Sequence, residues 1–499
     1  MPQTRPSDRS HASVIARQRA TIALLILAVA VVYGLTFLPG QGWDDDSSAY
    51  INNARNIADG HPYGRTTFVP NPAFPFLPAI TPPGLPLLLA PVYRVFGLNL
   101  NAMKIEGVVF LLVALWLTAT VSAGKVPYFH RLLIVTALAF HPLVWNLKDR
   151  ILSDIPFLMF VLLALWLVER LDVSSPEAAP AYAGEAFAGA AMFGAFLTRH
   201  LGIVLPCAIV LRDIVHRQRP RSTLRVLGVF AALVVAQLAL FPLDPTAAGR
   251  LPRSIGAVRQ NAQDLAKASS LLWSVGNSRP GTLLVAYIID VTAALGIVAR
   301  FKAAQRTSIT EHFFVLYSVA LVCFTAQMHL RYLLPMLPLL LYYSLVGVDV
   351  VGSWWPWGRP LALAVWIGAA SGMALTAADA YQQQHFEPRV DSASAQDMLR
   401  DIRDRTTPMD LIVFGHPRTL ALWTARRTTL FHGARDAELL EYWQSVGASY
   451  VLAGPPGVSH EFDAIVGRNP GHFAPAYENP DYRLYRIIAP RADDRGTSR

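Results

Sequence analysis

Long segments without any Asp, Glu, Lys or Arg constrain the fold of this chain more than any other feature. Three of them are 21–38, 108–121 and 156–168. A helix of roughly 17–25 such residues is long enough to cross the hydrocarbon core of a bilayer. Of the 499 residues, 15% are charged and 53% are hydrophobic, whereas about a quarter of the residues in a soluble domain are charged. The sequence therefore predicts a polytopic α-helical membrane protein.

The excess of basic residues does not indicate nucleic-acid binding. The formal net charge is +9, but Lys and Arg are concentrated in short segments between the apolar stretches, where they set the orientation of membrane helices. The first apolar stretch follows several arginines and is longer than the apolar core of a signal peptide. We therefore expect it to remain as the first membrane helix, with the N-terminus in the cytoplasm.

About eleven membrane-spanning helices are expected in residues 1–379. Their approximate bounds are 20–38, 102–122, 132–147, 155–170, 185–198, 201–215, 225–243, 281–299, 311–328, 332–350 and 360–379. Alternation then places 39–101 outside and the most basic loop, 212–225, in the cytoplasm, as the positive-inside rule requires. The apolar, proline-rich stretch 82–97 is too short to span, and counting it would invert this agreement. We expect it to form a juxtamembrane or re-entrant helix within the first external loop.

The composition changes near residue 380, where charged residues become frequent and no span-length apolar run remains. The alternation of segments predicts a small extracytoplasmic α/β domain over 380–490. The predicted strands are 411–414, 428–431, 450–453 and 482–488, and the predicted helices lie near 394–404, 417–425 and 436–446. The absence of a G-x-G-x-x-G motif or P-loop leaves a nucleotide cofactor unsupported. The polar tail 491–499 is expected to be disordered.

The first external loop contains three successive aspartates, Asp44, Asp45 and Asp46. The residues after them predict a helix that is capped by Asp46 or Ser47 and stops at Gly60. Carboxylates this close together favour either cation binding or protonation of one member. An ordinary acidic helix cap would explain the same residues, so this loop alone leaves both interpretations open.

Further ionisable residues are expected on the same external side. They are Asp154, Arg199, His200, His329 and Arg331. Charged groups at the edge of a membrane are costly and are therefore functional candidates, although Asp154 could also be an ordinary helix cap. We expect Asp46 to act as a general base on an acceptor hydroxyl or amine. Its cavity would also contain Asp154, and Arg199 and Arg331 would bind a donor phosphate there.

Several short motifs occur in a particular order along the chain. They are Asp46 followed four residues later by Tyr50 and then by Ala54-Arg55, Thr81-Pro82-Pro83-Gly84 before Phe96-Gly97, Ser153-Asp154-Ile155-Pro156, Thr198-Arg199 and Arg331-Tyr332-Leu333-Leu334-Pro335. Over roughly residues 20–350 this pattern resembles the GT-C glycosyltransferases, in particular the bacterial subgroup related to lipid A aminoarabinose transferase and protein O-mannosyltransferase.

The resemblance implies that Asp46 is the catalytic aspartate, that Asp45 could share or replace its role, and that Asp154 is a second active-site carboxylate. Together with the ionisable residues above, it gives the predicted substrate-binding set Tyr50, Arg55, Pro82, Pro83, Arg199, His200, His329, Arg331 and Tyr332. One position departs from the family pattern: the aminoarabinose transferase has a lysine directly before its Pro-Pro pair, where this chain has Thr81.

The implied reaction is transfer of a sugar, with inversion, from a polyprenyl-phosphate carrier to a lipid, glycan or protein acceptor. It would take place at the periplasmic face of the bacterial inner (plasma) membrane, among membrane lipids and without a soluble nucleotide sugar. No cofactor is implied, although the carboxylates at 44–46 and 154 would offer oxygen ligands to a divalent cation.

Two other classes of function remain open. A lipid or sugar transporter or flippase would be expected to spread ionisable residues through the depth of the bilayer and to contain internal repeats. A non-enzymatic membrane scaffold with a C-terminal binding domain would leave the acidic loop and Asp154 without a role. The clustering of charges at one edge favours the enzyme.

Overall fold

The computed structural model divides into two compact units. The first comprises Met1–Leu38, Lys104–Leu240 and Gly249–His385, and the second comprises Pro39–Met103, Phe241–Ala248 and Phe386–Arg499. The structure describes residues 6–71, 80–173, 182–216, 221–241, 255–274, 280–303, 307–323, 329–355, 357–384, 388–430, 436–455 and 460–488. The tail 491–499 therefore lies outside the described residues.

The apolar segments form helices, because a helix pairs its own backbone N–H and C=O groups and needs no water to do so. In chain order the helices are α1 (Pro6–Leu35), α2 (Asp45–Ala58), α3 (Gly84–Phe96), α4 (Leu100–Val121), α5 (Tyr128–Ala139), α6 (Pro142–Leu147), α7 (Asp154–Val173), α8 (Tyr182–Thr198), α9 (Val204–His216), α10 (Arg221–Leu240), α11 (Ile255–Ser274), α12 (Pro280–Ala303), α13 (Ile309–Val322), α14 (Leu337–Gly352), α15 (Gly358–Gln384), α16 (Ala393–Arg405), α17 (Pro417–Thr424), α18 (Asp436–Ser445) and α19 (His460–Arg468). The strands are β1 (Phe68–Val69), β2 (Leu411–Phe414), β3 (Arg427–Leu430), β4 (Ala448–Ala453), β5 (Phe473–Glu478) and β6 (Arg483–Ile487).

Four helices within the described residues are long and apolar enough to cross a membrane. They are Ser13–Leu35 of α1, all of α4, all of α10, and Gly358–Asp379 of α15. Large apolar side chains on them point outward, for example Leu35 at 80% and Leu240 at 73% exposure. An apolar surface of this kind is suited to lipid rather than water.

Glycines allow two helices of the first unit to pack very closely. A Cβ atom at Gly296 of α12 would lie 1.9 Å from the carbonyl oxygen of Tyr343 in α14, and one at Gly347 of α14 would lie 1.8 Å from the carbonyl oxygen of Thr292. Small residues permit backbones to approach at this distance in membrane proteins. Substitution of either glycine would force α12 and α14 apart.

Each of the eleven predicted helices coincides with helical residues, but some are interrupted. The predicted helix 132–147 divides into α5 and α6, because His141 caps α6 and Pro142 begins it, and a proline cannot continue the preceding helix. Within 244–280, which lies between two predicted helices, the structure contains α11. The number of helices that cross a membrane stays a prediction.

The second unit is built on a six-stranded sheet in the order β1-β3-β2-β4-β6-β5. The first four strands are parallel neighbours, and β6 runs antiparallel to β4 and β5. One face packs against Met398 of α16 and Leu420 of α17. The other face packs against Trp443 of α18 and Phe462 of α19. Helices therefore cover both faces of the sheet.

The sheet corrects the predicted domain boundary. Residues 39–101 were expected to belong with the membrane-spanning segment 1–379, but they form part of the second unit. Phe68 and Val69 pair in parallel with Thr428 and Thr429 of β3. A boundary drawn from local composition cannot reveal strand pairing between segments so distant in sequence.

The predicted strands and helices of 380–490 agree with the observed ones to within two residues. Three elements of the second unit were not predicted: α19, β5 and β1. The predicted helix at 82–97 is present as α3. Whether it lies at the membrane surface stays a prediction.

Candidate functional site

The first group of candidate residues lies where α7 begins. Asp154 is the first residue of α7 and is 1% exposed. The Nη2 atom of Arg199 lies 3.0 Å from Oδ1 and 3.1 Å from Oδ2 of this carboxylate, and Nε donates to the Ser153 hydroxyl at 3.0 Å. An unpaired carboxylate at this depth would be strongly destabilising. The pair therefore fixes the positions of both side chains.

Tyr332 joins a second arginine to this group. The guanidinium carbons of Arg199 and Arg331 lie 5.2 Å and 5.7 Å from the centre of its ring, and the ring of His329 lies 6.0 Å away. The tyrosine sits in a 3₁₀ turn, and its carbonyl oxygen accepts a hydrogen bond from Tyr317 at 3.0 Å. Two guanidinium groups against one aromatic ring make a cationic surface suited to phosphate.

Three distant segments thus supply one cluster: Asp154, Arg199, and the pair Arg331 and Tyr332. His200 follows Arg199 in the chain and is exposed, in a separate 3₁₀ turn over His200–Ile203. The centre of its ring lies 5.6 Å from the centre of the Phe196 ring. The roles of all these residues in binding or catalysis stay predictions.

In the second unit, Asp44 and Asp45 each hold the start of a helix. Asp44, rather than Asp46 or Ser47, caps α2: its Oδ1 atom accepts from the Asp46 N–H at 3.0 Å. Asp45 accepts from the N–H of Thr419, in the first turn of α17, at 3.0 Å. Burial raises the pKa of Asp45 to about 7, although Arg418 and the Thr419 N–H both act to lower it. Asp44 therefore caps α2, and Asp45 joins the start of α2 to the start of α17.

Asp46 has a different partner and a different exposure. Its Oδ1 atom lies 3.5 Å from Nη1 of Arg418, and its side chain is 33% exposed. The Arg418 guanidinium also lies 5.5 Å from the centre of the Phe68 ring. Asp46 therefore has a cationic partner and is also accessible to solvent, and a general base must be accessible to the acceptor that it deprotonates.

Each of the three aspartates already has a partner, and a divalent cation held by them stays a prediction. Asp44 and Asp45 already accept hydrogen bonds from backbone N–H groups, and the Arg418 cation lies beside Asp46. Among the residues that the structure describes, no group of three or more His, Cys, Asp or Glu side chains could hold a metal ion. The geometry at Asp46 is suited to proton transfer.

Other predicted binding residues lie on α2 or directly before α3. Tyr50 is 9% exposed, and Arg55 donates to the side chain of Asn52 at 2.8 Å. Asn53 donates to the hydroxyl of Thr81 at 2.8 Å. Thr81 stands directly before the predicted binding residues Pro82 and Pro83, and Pro83 precedes the first turn of α3. Their roles in substrate binding stay predictions.

Sequence reasoning did not name Arg418, Thr419 or Phe68. The proline at the start of the predicted helix 417–425 indicated a helix N-terminus there, but nothing in the sequence connects it to the first loop. Asp46 belongs to the second unit and Asp154 to the first. That the two share a cavity stays a prediction.

No protein-family model and no curated protein sequence matches this chain. Several solved structures are similar to it in fold. ArnT from Cupriavidus metallidurans, crystallised with undecaprenyl phosphate, aligns over 94% of this chain and 98% of its own, with a TM-score of 0.59 and 15% identity. An Archaeoglobus fulgidus oligosaccharyltransferase aligns over 94% of this chain and 74% of its own, with a TM-score of 0.60 and 11% identity. The arabinofuranosyltransferase AftD from Mycobacteria aligns over 94% of this chain and 40% of its own, with a TM-score of 0.50 and 13% identity.

All three neighbours are members of the GT-C superfamily. At identities of 11% to 15% such similarity concerns the fold. It extends over almost the whole of this chain, well beyond the motifs that suggested it. The chain has the GT-C fold.

Proposed function

We propose that this chain is a membrane glycosyltransferase that moves a sugar from a polyprenyl-phosphate carrier to an acceptor on the extracytoplasmic face. The observation that carries the proposal is the buried pair of Asp154 and Arg199 beside Tyr332 and Arg331. The ArnT neighbour binds undecaprenyl phosphate, and an Archaeoglobus fulgidus AglB structure contains a dolichol-phosphate. Both ligands carry the anionic head that guanidinium groups bind well.

In the proposed reaction, Asp46 accepts the proton of an acceptor hydroxyl or amine. The acceptor atom forms a bond to the anomeric carbon of the sugar while the bond from that carbon to the phosphate oxygen breaks. The electron pair of the broken bond leaves with the phosphate, and the configuration at carbon inverts. Arg199 and Arg331 stabilise the charge on the departing polyprenyl phosphate, and Asp154 holds Arg199 in position.

The same proposal includes the bacterial inner membrane, about eleven spans, a cytoplasmic N-terminus and a periplasmic α/β domain at 380–490. The basic loop 212–225 supports this orientation, since it falls on the cytoplasmic side when 39–101 is external. A reporter fused after Arg499 tests it. Activity of a periplasm-specific reporter is expected, and activity of a cytoplasm-specific reporter would contradict the orientation.

The carrier is identified first, from lipid extracts of a deletion strain, where we expect a polyprenyl-phospho-sugar to accumulate. Transfer from that radiolabelled lipid is then measured with purified protein in detergent micelles. Wild type is expected to release polyprenyl phosphate and label the acceptor, whereas Asp46→Ala is expected to do neither.

A transporter or flippase gives a different result in the same assay. A flippase moves a lipid from one leaflet of a bilayer to the other. Detergent micelles have no leaflets, so a flippase would show no activity in this assay. Accumulation of the carrier in cells without transfer by the purified wild-type protein would therefore favour the flippase. Undiminished transfer by a well-folded Asp46→Ala protein would exclude Asp46 as the base.

A further inference from the structure

Arg418 is the second residue of α17 and is 6% exposed. Its guanidinium lies between two residues of the first loop: Nη1 is 3.5 Å from the Asp46 carboxylate, and the group is 5.5 Å from the centre of the Phe68 ring. A cation this well buried requires a compensating charge. Arg418 pairs with the Asp46 carboxylate, and its charge also acts on the neighbouring Asp45.

Thr419, the next residue of α17, holds the backbone of Arg418 close to Asp46. The Thr419 N–H donates to Asp45 at 3.0 Å, and the Thr419 hydroxyl accepts from Ser48 at 2.9 Å. Both partners lie on α2, one residue before Asp46 and two residues after it. Because α17 is attached to α2 on either side of Asp46, the backbone of Arg418 cannot move away from Asp46 without breaking these bonds.

We infer that Arg418 is a positioning residue for Asp46, holding its carboxylate ionised and oriented toward the acceptor. The inference rests on the proposed role of Asp46 as the base. It adds to the candidate site a residue of α17, which lies more than three hundred residues beyond the first loop in the chain.

The charges around Asp46 explain why such a partner is needed. Asp44 and Asp45 on its own helix are acidic, and repulsion between carboxylates favours protonation. His416, just before α17, adds no cation near neutral pH, since burial lowers its pKa. The charged residue of α3, which also packs on α2, is Arg94 in its last turn. Arg418 is thus the cation that the described contacts give to Asp46.

Two variants separate positioning from simple packing. Arg418→Met keeps an apolar stem against Phe68 but removes the charge. For this variant we expect kcat to fall about 10- to 100-fold, because catalysis by a positioned base is worth about 10²–10⁴-fold in all. KM should change little, and the acidic limb of the pH–rate profile should move upward by about 1 pH unit. Arg418→Lys should recover part of kcat.

A rise in KM at constant kcat would instead mean that Arg418 binds substrate, and would overturn the inference.

A second measurement does not depend on transfer. Carbodiimides modify protonated carboxyl groups, so labelling of Asp46 in the full-length protein, followed by peptide mass spectrometry across pH, reports its protonation. The labelling midpoint should rise in Arg418→Met and, by less, in Phe68→Leu, which keeps the charge but removes the ring beside it. Arg403→Met is the matched control, since Arg403 donates to the carbonyl oxygen of Trp423, and its midpoint should equal that of wild type.

The outcomes separate the two proposals. A shifted midpoint in a protein that never transfers sugar would retain the Arg418–Asp46 pairing and reject the glycosyltransferase. An unshifted midpoint in folded Arg418→Met would reject the positioning role even if transfer is observed. Should that variant not fold, an unshifted midpoint in Phe68→Leu would reject it equally.

Discussion

Arg199 and Asp154 form a buried ion pair, with Nη2 3.0 Å from Oδ1 and the two side chains 12% and 1% exposed. Replacement of the arginine leaves a buried carboxylate without its counter-charge, which costs about 3–5 kcal/mol. We therefore expect Arg199→Met to melt well below wild type. Asp154→Asn should melt closer to it, because the charge that then loses its counter-ion is on Arg199, which is more exposed and also contacts the Ser153 hydroxyl and the Tyr332 ring. Thermal unfolding in detergent measures both. Equal melting temperatures for the two variants would contradict this account of the pair.

Asp46→Asn should lower transfer by about 10²–10⁴-fold. The melting temperature should fall as well, because the buried Arg418 guanidinium loses the carboxylate beside it, so transfer is compared at a temperature at which the variant is folded. Asp59→Asn, at the other end of α2 and exposed, is the matched control and should behave as wild type in both assays. If Asp46→Asn retains transfer, Asp46 is not the base, and Asp45 becomes the candidate to test.

The stability of the second unit should depend on pH through Asp45. Its pKa is about 7 in the folded protein, against an ordinary value of 3.8. The folded state thus binds this proton more tightly than the unfolded chain. The stabilisation is fully present below about pH 4 and is lost as the pH rises to about 7 and above.

Asp45→Asn, whose side-chain oxygen can still accept from Thr419, should flatten this pH dependence. Each kcal/mol of pH-dependent stability that this substitution removes corresponds to about 2–4 °C in melting temperature for a unit of this size. Melting curves between pH 4 and pH 8 test the prediction, with the exposed Asp404→Asn as control. The same slope in wild type and Asp45→Asn would mean that another group is responsible.

Lys148 joins separate helices of the first unit. Its ammonium donates to the carbonyl oxygen of Thr36 at 2.7 Å, pairs with Asp149, and lies 5.2 Å from the centre of the Trp145 ring. Lys148→Met should cost about 3–5 kcal/mol, since the Asp149 side chain, 4% exposed, loses its partner. Adding Asp149→Asn should restore part of that loss in the same melting assay. A single variant as stable as wild type would show that the pair contributes nothing.

The helices of this chain could be predicted from sequence because each depends on its own residues. Apolar runs place α4 and α7 to within a few residues of the predicted bounds, and Pro142 explains the division that the apolar pattern alone did not show. The cap of α2 was predicted at Asp46 or Ser47, two or three residues beyond its observed position. Asp44, rather than Asp46, adopts the extended conformation from which its side chain reaches the first N–H groups.

The candidate site could be predicted only in part, because it depends on contacts between distant segments. Asp154 and Arg199 were predicted from charges at the edges of apolar helices, and the structure pairs them. Arg418 was not, since an arginine in a polar segment has nothing unusual in its neighbourhood. The two-residue strand β1 is too short for any periodicity to reveal.

The strand that Phe68 and Val69 add beside Thr428 and Thr429 bears on how the protein matures. During synthesis the first loop emerges long before its pairing partner, and contacts of such high contact order form late. The acidic helix would therefore reach its final support only after the last segment has been synthesised. A chain released before that segment would carry its apolar helices but would lack an assembled second unit.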